Sequence, residues 1–416
     1  METVDEYFDM LIKSRFIEMF GDIKTNSKGW KCHKLGELGS FKTGGTPSSK
    51  HEEYYQGTIP FISTPALGPN YIDDSAAKYH ISKEAIENCA TTLIPAGSLI
   101  IGTRINVGQS SINKIPMCTN QDIVSMMDID KKYDLLFLKH CLNQYIPYLD
   151  SQKKGATIKG ITVELLKSVM IPEPPIDEQK QYVDFVEQVD KSKAVCKQIF
   201  QSLDNLVKSR FIEMFGGCKE KVPIGNICTL HSRIGWQALT KAEHMSSGDY
   251  MLITGTDFKN GQIDYSGSKF VSKERYEMDP NIIIQNGDVL VTKDGTIGKV
   301  AVVRDLPKPA TLNAGIFVVR NRDDQFLTEF LQQCLLSTDF QRFIESVKRG
   351  ATIVHLNQEK FLKYEIPVAD PELQKQFVSF VQQVDKSKFE VVQSLLRLKS
   401  KYIRTETPSK RTDCDL

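Results

Sequence analysis

No apolar run in these 416 residues reaches the ~18–20 residues that a membrane-spanning helix needs. The opening METVDEYFDM is acidic and has no signal-peptide core, so a cytoplasmic protein is expected. None of the nine cysteines forms a C-x-x-C pair, which argues against a zinc ribbon or a disulfide framework and for reduced thiols. Seven histidines show no ligand spacing, and no metal site is expected. Charge of neither sign dominates: 53 Lys and Arg stand against 52 Asp and Glu. A stand-alone nucleic-acid binder is usually more basic, so any phosphate binding must be local or shared with partners. Catalytic signatures are missing too. The Pro174-Pro175 pair is followed by Ile176, which rules out an N-P-P-Y-like or D-P-P-Y-like tetrapeptide, and GTIGK (295–299) is too short for a nucleotide-binding loop.

What the chain does contain is repetition. KSRFIEMFG occurs at 13–21 and again at 208–216, an offset of 208 − 13 = 195 residues. The segments opened by GATI at 155 and at 350 agree at 19 of 39 positions without a gap, again at 195. The chain therefore reads as two copies of a variable region followed by a helical segment, preceded by an extra fragment of that helix. Its length also favours more than one domain.

The helical segments carry a coiled-coil seam. Tyr182, Val186, Val189, Lys193, Cys196, Phe200, Leu203 and Val207 step by alternating fours and threes, and Phe377, Val381, Val384, Lys388, Val391, Leu395, Leu398 and Tyr402 step identically. About 40 residues of helix make a rod of roughly 60 Å. Lys193 and Lys388 hold equivalent seam positions, where a charge either fixes register or snorkels out of a loose seam. Between the helices, short apolar runs such as SLIIGTRI (98–105), DVLVT (288–292) and IFVVR (316–320) read as strands. GSLIIGTRINVG (97–108) aligns with GDVLVTKDGTIG (287–298), and Asn120 with Asn313. The two regions share a skeleton and differ in their loops.

PEPPIDEQKQ (172–181) and DPELQKQ (370–376), each preceded by a G-A-T-I box, resemble the conserved regions of type I restriction–modification specificity subunits. GTPSSK (45–50), IGTRINVG (101–108), LITGTDFKNGQI (252–263) and VTKDGTIGKVAVV (291–303) look like target-recognition motifs of that family. The resemblance implies an α+β chain: two α/β target-recognition domains joined by two long antiparallel coiled-coil helices, with a pseudo-two-fold internal repeat. The expected divisions are an N-terminal helix at 1–21, a first recognition domain at 22–174 and a central helix at 175–216. A second recognition domain at 217–369, a C-terminal helix at 370–405 and a tail at 406–416 complete the chain.

By the same resemblance, each domain reads one half of a bipartite, asymmetric site on double-stranded DNA. The helices set the spacing and dock methyltransferase subunits, two of them, with restriction/translocase subunits beyond. S-adenosylmethionine, ATP and Mg belong to those partners, and this chain is a non-catalytic recognition subunit. A coiled-coil scaffold with protein-binding domains, or an autonomous DNA-modifying enzyme, are the competing readings.

Groove and phosphate contacts call for Lys, Arg, hydroxyls and side-chain amides. In the first copy the candidates are Lys42, Thr43, Thr46 and Ser48, then Arg104, Asn106 and Gln109, then Lys153, Lys154, Thr157 and Lys159. In the second they are Arg233, Trp236 and Gln237, then Thr254, Thr256 and Asp257, then Lys293, Asp294, Thr296 and Lys299, and finally Lys348, Arg349, His355 and Asn357. Each has a plain structural alternative: Trp236 packs as readily as it stacks on a base, and Asp294 suits a turn as well as a groove.

Two reasons for the repeated nonapeptide remain. Phe16, Ile17, Met19 and Phe20 are expected to pack as Phe211, Ile212, Met214 and Phe215 do. Packing alone would tolerate conservative exchanges. Identical sequence flanking each variable region also suits recombination of whole recognition domains, an idea that dissimilar nucleotide sequences at the two sites would contradict.

Overall fold

A computed structural model describes residues 4–154, 159–259, 261–348 and 355–404, without the side chains of Val4, Trp236 and 395–404. Thr157 and Arg349 lie outside the described residues, as do the side chains of Trp236, Leu395 and Leu398. The chain divides into two compact units, 2–194 and 195–416. The division falls at the repeat period of 195 and inside one helix.

The first unit runs α1 (Val4–Phe20), β1 (Cys32–Lys34), β2 (Ser40–Thr43), β3 (Ile59–Ile62), β4 (Tyr71–Ile72), β5 (Tyr79–Ile81) and α2 (Lys83–Asn88). It continues through β6 (Leu99–Gly102), β7 (Ser110–Asn113), β8 (Cys118–Thr119), β9 (Ile123–Met127), α3 (Leu135–Ser151), α4 (Val163–Lys167) and β10 (Met170–Pro172) into the 40-residue helix α5 (Ile176–Phe215). A five-stranded sheet has the order β2-β9-β6-β7-β4, a three-stranded one β5-β3-β8, and β1 pairs with β10.

The second unit takes over within α5 and adds β11 (Lys221–Pro223), α6 (Ile224–Ile227), β12 (Cys228–His231), β13 (Tyr250–Ile253), β14 (Phe258–Lys259), β15 (Gln262–Ile263), β16 (Lys269–Val271) and α7 (Lys273–Glu277). There follow β17 (Ile283–Ile284), β18 (Val289–Thr292), β19 (Val300–Val302), β20 (Ala310–Leu312), β21 (Ile316–Asn321), α8 (Thr328–Leu336), α9 (Thr338–Lys348), α10 (Gln358–Leu362), β22 (Glu365–Pro367) and α11 (Pro371–Arg404). Its sheets, β12-β21-β18-β19-β15-β14 and β16-β13-β20-β17, repeat the first unit's order with one strand added to each. Central strands such as Leu99–Gly102 and Val289–Thr292 are buried throughout, which is why they read as continuous apolar runs.

Each unit owns an antiparallel helix pair. In the first, Phe16 and Phe20 of α1 are fully buried, and the Phe20 ring lies 4.8 Å from Phe137 of α3 and 5.5 Å from Tyr182 of α5. In the second, Phe215 lies 4.8 Å from Phe330 of α8 and 5.3 Å from Phe377 of α11. The nonapeptide thus fills the same place twice. The likeness of the two segments extends upstream: residues 9–21 and 204–216 agree at 11 of 13 positions.

Along the α5 seam, Tyr182 and Val186 join the core that holds α1, whereas Val207 and the flanking Leu203 join the core that holds α11. The structure corrects one expectation about this packing. Ile17 and Ile212 do not pack, being 46% and 57% exposed, because the side chains facing the core are those three and four residues apart. Among the described side chains, the remaining seam residues follow the expected face. Val189, Phe377 and Val384 are buried, and Phe200, Val381 and Val391 are half-buried.

The Q in the two PPIDEQ-like motifs has a physical reason. Gln179 is fully buried; its Oε1 accepts from Asp134 N at 2.8 Å, and its Nε2 donates to the carbonyls of Lys132 and Pro174, both at 2.9 Å. Gln374 makes the same set, accepting from Leu327 N at 3.0 Å and donating to Gln325 O and Ala369 O at 2.8 and 2.9 Å. One amide satisfies three backbone groups where the chain enters α3 or α8, and so locks that helix to the start of α5 or α11.

Candidate nucleic-acid interface

In the first unit β6 ends in a loop that the backbone closes on itself. Gly108 N donates to Gly102 O at 2.9 Å and Gln109 N to Asn106 O at 3.0 Å. Asn106 adopts φ +56°, a conformation that asparagine tolerates, and its Nδ2 donates to Thr64 O at 3.3 Å. Gly108 at φ +79° cannot be replaced cheaply, since a Cβ would come within 3.1 Å of Ile146. Thr103 N donates to Asp122 O at 2.8 Å, and Arg104 reaches the Asp122 carboxylate at 3.1 Å.

Two further segments converge on this loop. Ile161 N donates to Thr103 O, and a bridge between Lys154 and Gly160 folds the return segment against Arg104. Gly45 N donates to Thr119 O, and the Thr46 hydroxyl donates to the Gln121 side chain. Lys42, Thr43, Thr46, Ser48, Arg104, Asn106, Lys154 and Lys159 are all exposed. Gln109 is half-buried, and Lys153 is tied to Asp150 at the end of α3. Arg104, with its side chain 48% exposed, is held by Asp122 without being hidden.

The second unit repeats the scaffold with other side chains. Gly298 N donates to Thr292 O at 2.9 Å, Lys293 N to Gly315 O at 2.8 Å, and Leu356 N to Lys293 O at 2.9 Å. Where the first loop offers Arg104 to Asp122, this one offers Asp294 to His355, Nδ1 to Oδ1 at 2.5 Å. Lys293 is half-buried above the Phe317 ring and donates to Ser232 Oγ at 3.0 Å; burial lowers its pKa. Thr256, Thr296, Lys299 and His355 are exposed.

Several residues chosen from the sequence lie elsewhere. Arg233 is 1% exposed and donates to the carbonyls of Leu312, Gln237 and Arg275 and to the Thr311 hydroxyl, which makes it an interior brace. Gln237, also buried, caps Ile234 N and donates to Asp279. Asp257 is buried beneath the Thr254 turn, accepting from Thr254 N and Oγ1, and burial raises its pKa. Asn357 caps α10 through Glu359 N and Lys360 N, and Lys348 pairs with Glu345. The reading missed Thr103, Gln121, Asp122 and Ser232. The paired Asn120 and Asn313 pointed to the first three, since each donates its N–H to the end of the neighbouring strand, Ile62 O or Ile253 O.

Among the described residues no group of three His, Cys, Asp or Glu could hold a metal ion, and no helix is long and apolar enough to cross a membrane.

Comparison with known proteins agrees with this duplicated architecture. The chain is 25% identical over 393 residues to the type I restriction enzyme MjaIX specificity subunit of Methanocaldococcus jannaschii, covering 87% of this chain and 88% of that one. It is 32% identical over 168 residues to the EcoR124I/EcoR124II specificity subunit of Escherichia coli, covering 39% and 40%. A crystal structure of the type I S subunit from M. genitalium aligns at 14% identity and a TM-score of 0.45, over 89% of this chain and 94% of that one. The type I restriction modification DNA specificity domain matches twice, at residues 27–205 and 219–397. With both copies matched, the chain belongs to the family of type I restriction–modification specificity subunits, and its two copies are the recognition domains.

Proposed function

We propose that each unit reads one half of a bipartite DNA site through loops at its sheet ends, the first with Lys42–Ser48, Arg104–Asn106, Lys154 and Lys159, the second with Thr254–Thr256, Lys293–Lys299 and His355. The observation that carries this is the contrast at one scaffold position: Arg104 facing Asp122 in one unit, Asp294 facing His355 in the other, on loops closed by the same backbone bonds. Two frames of one shape with unlike polar groups suit two unlike half-sites. The near-balance of 53 basic against 52 acidic residues fits a chain that shares phosphate binding with methyltransferase and restriction subunits.

In this reading the long helices set the spacing between half-sites and dock two methyltransferase subunits. S-adenosylmethionine and ATP act on the partners. The deciding experiment is single-molecule methylome sequencing of host DNA with the gene present and deleted. Loss of one bipartite methylated motif on deletion supports the reading; salt-sensitive binding of the assembled complex to all DNA alike refutes it.

A further inference from the structure

Each candidate face displays an exposed isoleucine. Ile105, 48% exposed, sits at the tip of the first unit's loop between Arg104 and Asn106. Ile234, 50% exposed, lies beside Ser232, the residue that Lys293 touches. The internal repeat provides the control. The equivalent of Ile105 is Gly295, and that loop closes with the same bond, Gly298 N to Thr292 O at 2.9 Å, as Gly108 N makes to Gly102 O. Closure therefore needs no side chain at this position.

For Ile234 the relation is reversed. Lys42 and His231 hold equivalent places in the sheet, opposite Ser125 and Val318, which in turn face Ile100 and Leu290. Three residues beyond them stand Gly45 in the first unit and Ile234 in the second. The match there is one of register only, since Gly45 is buried against Ala90 and Thr91 whereas Ile234 is exposed.

An exposed aliphatic side chain gains free energy only when a partner removes it from water. Among base edges in the major groove, the apolar group is the C5 methyl of thymine, and the residues beside Ile105 are of the types that bond guanine and adenine there. We propose that Ile105 and Ile234 are specificity-determining residues, each packing on a thymine methyl in the half-site that its unit reads. This rests on the DNA-recognition reading above and adds a chemical identity to one base in each half.

The test uses the chain assembled with its methyltransferase subunits and duplexes carrying the recognised motif. Each thymine of the motif is replaced in turn by deoxyuridine, which lacks only the methyl group. One replacement in each half-site should weaken binding about fourfold, the ratio expected for one buried methyl. Ile105→Ala should bind the unmodified duplex at that weakened level and become indifferent to the replacement in its own half-site, while staying sensitive in the other. Ile234→Ala should show the converse pattern.

A half-site without thymine, or a selective complex indifferent to every replacement, overturns this proposal alone. So does an Ile105→Ala complex that loses the same factor relative to wild type on both duplexes and so stays sensitive to the uracil replacement, the behaviour of a wedge that unstacks bases. A complex that binds all duplexes alike overturns the recognition reading together with this proposal.

Discussion

Lys193 of α5 holds Asp9 of α1 at 3.0 Å across 184 residues of sequence, and Lys388 of α11 holds Asp204 of α5 at 2.6 Å across the same 184. The seam lysine that the heptads place among apolar residues thus has a carboxylate on the facing helix in both units. Hydrogen bonds to Asp9 and Asp5 raise the Lys193 pKa against the opposing effect of burial. A single charge placed this way discriminates between registers more than it stabilises. Because the aspartates are exposed, Asp9→Lys should cost only about 0.5–1 kcal/mol, and Asp9→Lys with Lys193→Asp should recover only part of it in a double-mutant cycle of thermal midpoints, since Asp5 then faces the new carboxylate.

Gln179→Leu keeps the volume but leaves Asp134 N and the carbonyls of Lys132 and Pro174 without their partner. The expected loss is about 2–4 kcal/mol, since buried backbone groups without partners are costly. Gln374→Leu should behave alike. Equal losses in thermal unfolding would establish that one lock serves both units.

Lys139 of α3 is 2% exposed, donates to Gly68 O at 3.2 Å, and has its pKa pushed by burial down to about 8. In the other unit Gln332 makes the same bond to Gly261 O at 3.2 Å without a charge. Lys139→Gln should therefore stabilise the protein at pH 7 by about 1–3 kcal/mol, the cost of burying an ammonium group. In the wild type stability should rise from pH 8 towards 10.5 as the unfolded chain keeps a proton that the folded one gives up, and the substitution should remove that rise.

His140 is buried between Tyr182, whose O–H donates to Nδ1 at 2.7 Å, and Asn70, whose Oδ1 lies 3.2 Å from Nε2. Burial, with help from Lys139, pushes its pKa down to about 3 from 6.5. Below pH 6.5 the unfolded state binds a proton that the folded state refuses, so stability should fall as pH drops from 6.5 towards 3, at up to about 1.4 kcal/mol per pH unit. His140→Gln, the residue type that Gln333 supplies at the equivalent place, should flatten that limb in thermal midpoints measured from pH 7 to 4.5.

Arg104→Ala and Arg233→Ala should separate reading from bracing. The first removes an exposed cation and should leave the thermal midpoint unchanged while weakening binding to the recognised duplex by about 1–3 kcal/mol. The second strips four acceptors of a buried donor and should lower the midpoint by several degrees before any DNA effect is read.

The sequence by itself determined the duplication, the long helices and their seam faces, and the central strands, because each depends on a short-range period or a literal repeat. Tyr182, Val186 and Val384 are buried as the heptads require. The loops at the sheet ends were also legible, as glycine and asparagine positions that turns need.

Tertiary structure alone decided which polar residues stand at the surface. Arg233 and Arg104 look alike in sequence, yet one has four acceptors around it in the interior and the other a single carboxylate at the rim. Whether a polar side chain is used inside or offered outside depends on acceptors supplied from segments tens of residues away, and no local pattern encodes them. The partners of α5 were decided the same way. Its seam is one continuous stripe, but the carboxylate that answers Lys193 lies in α1 and the lysine that answers Asp204 lies in α11.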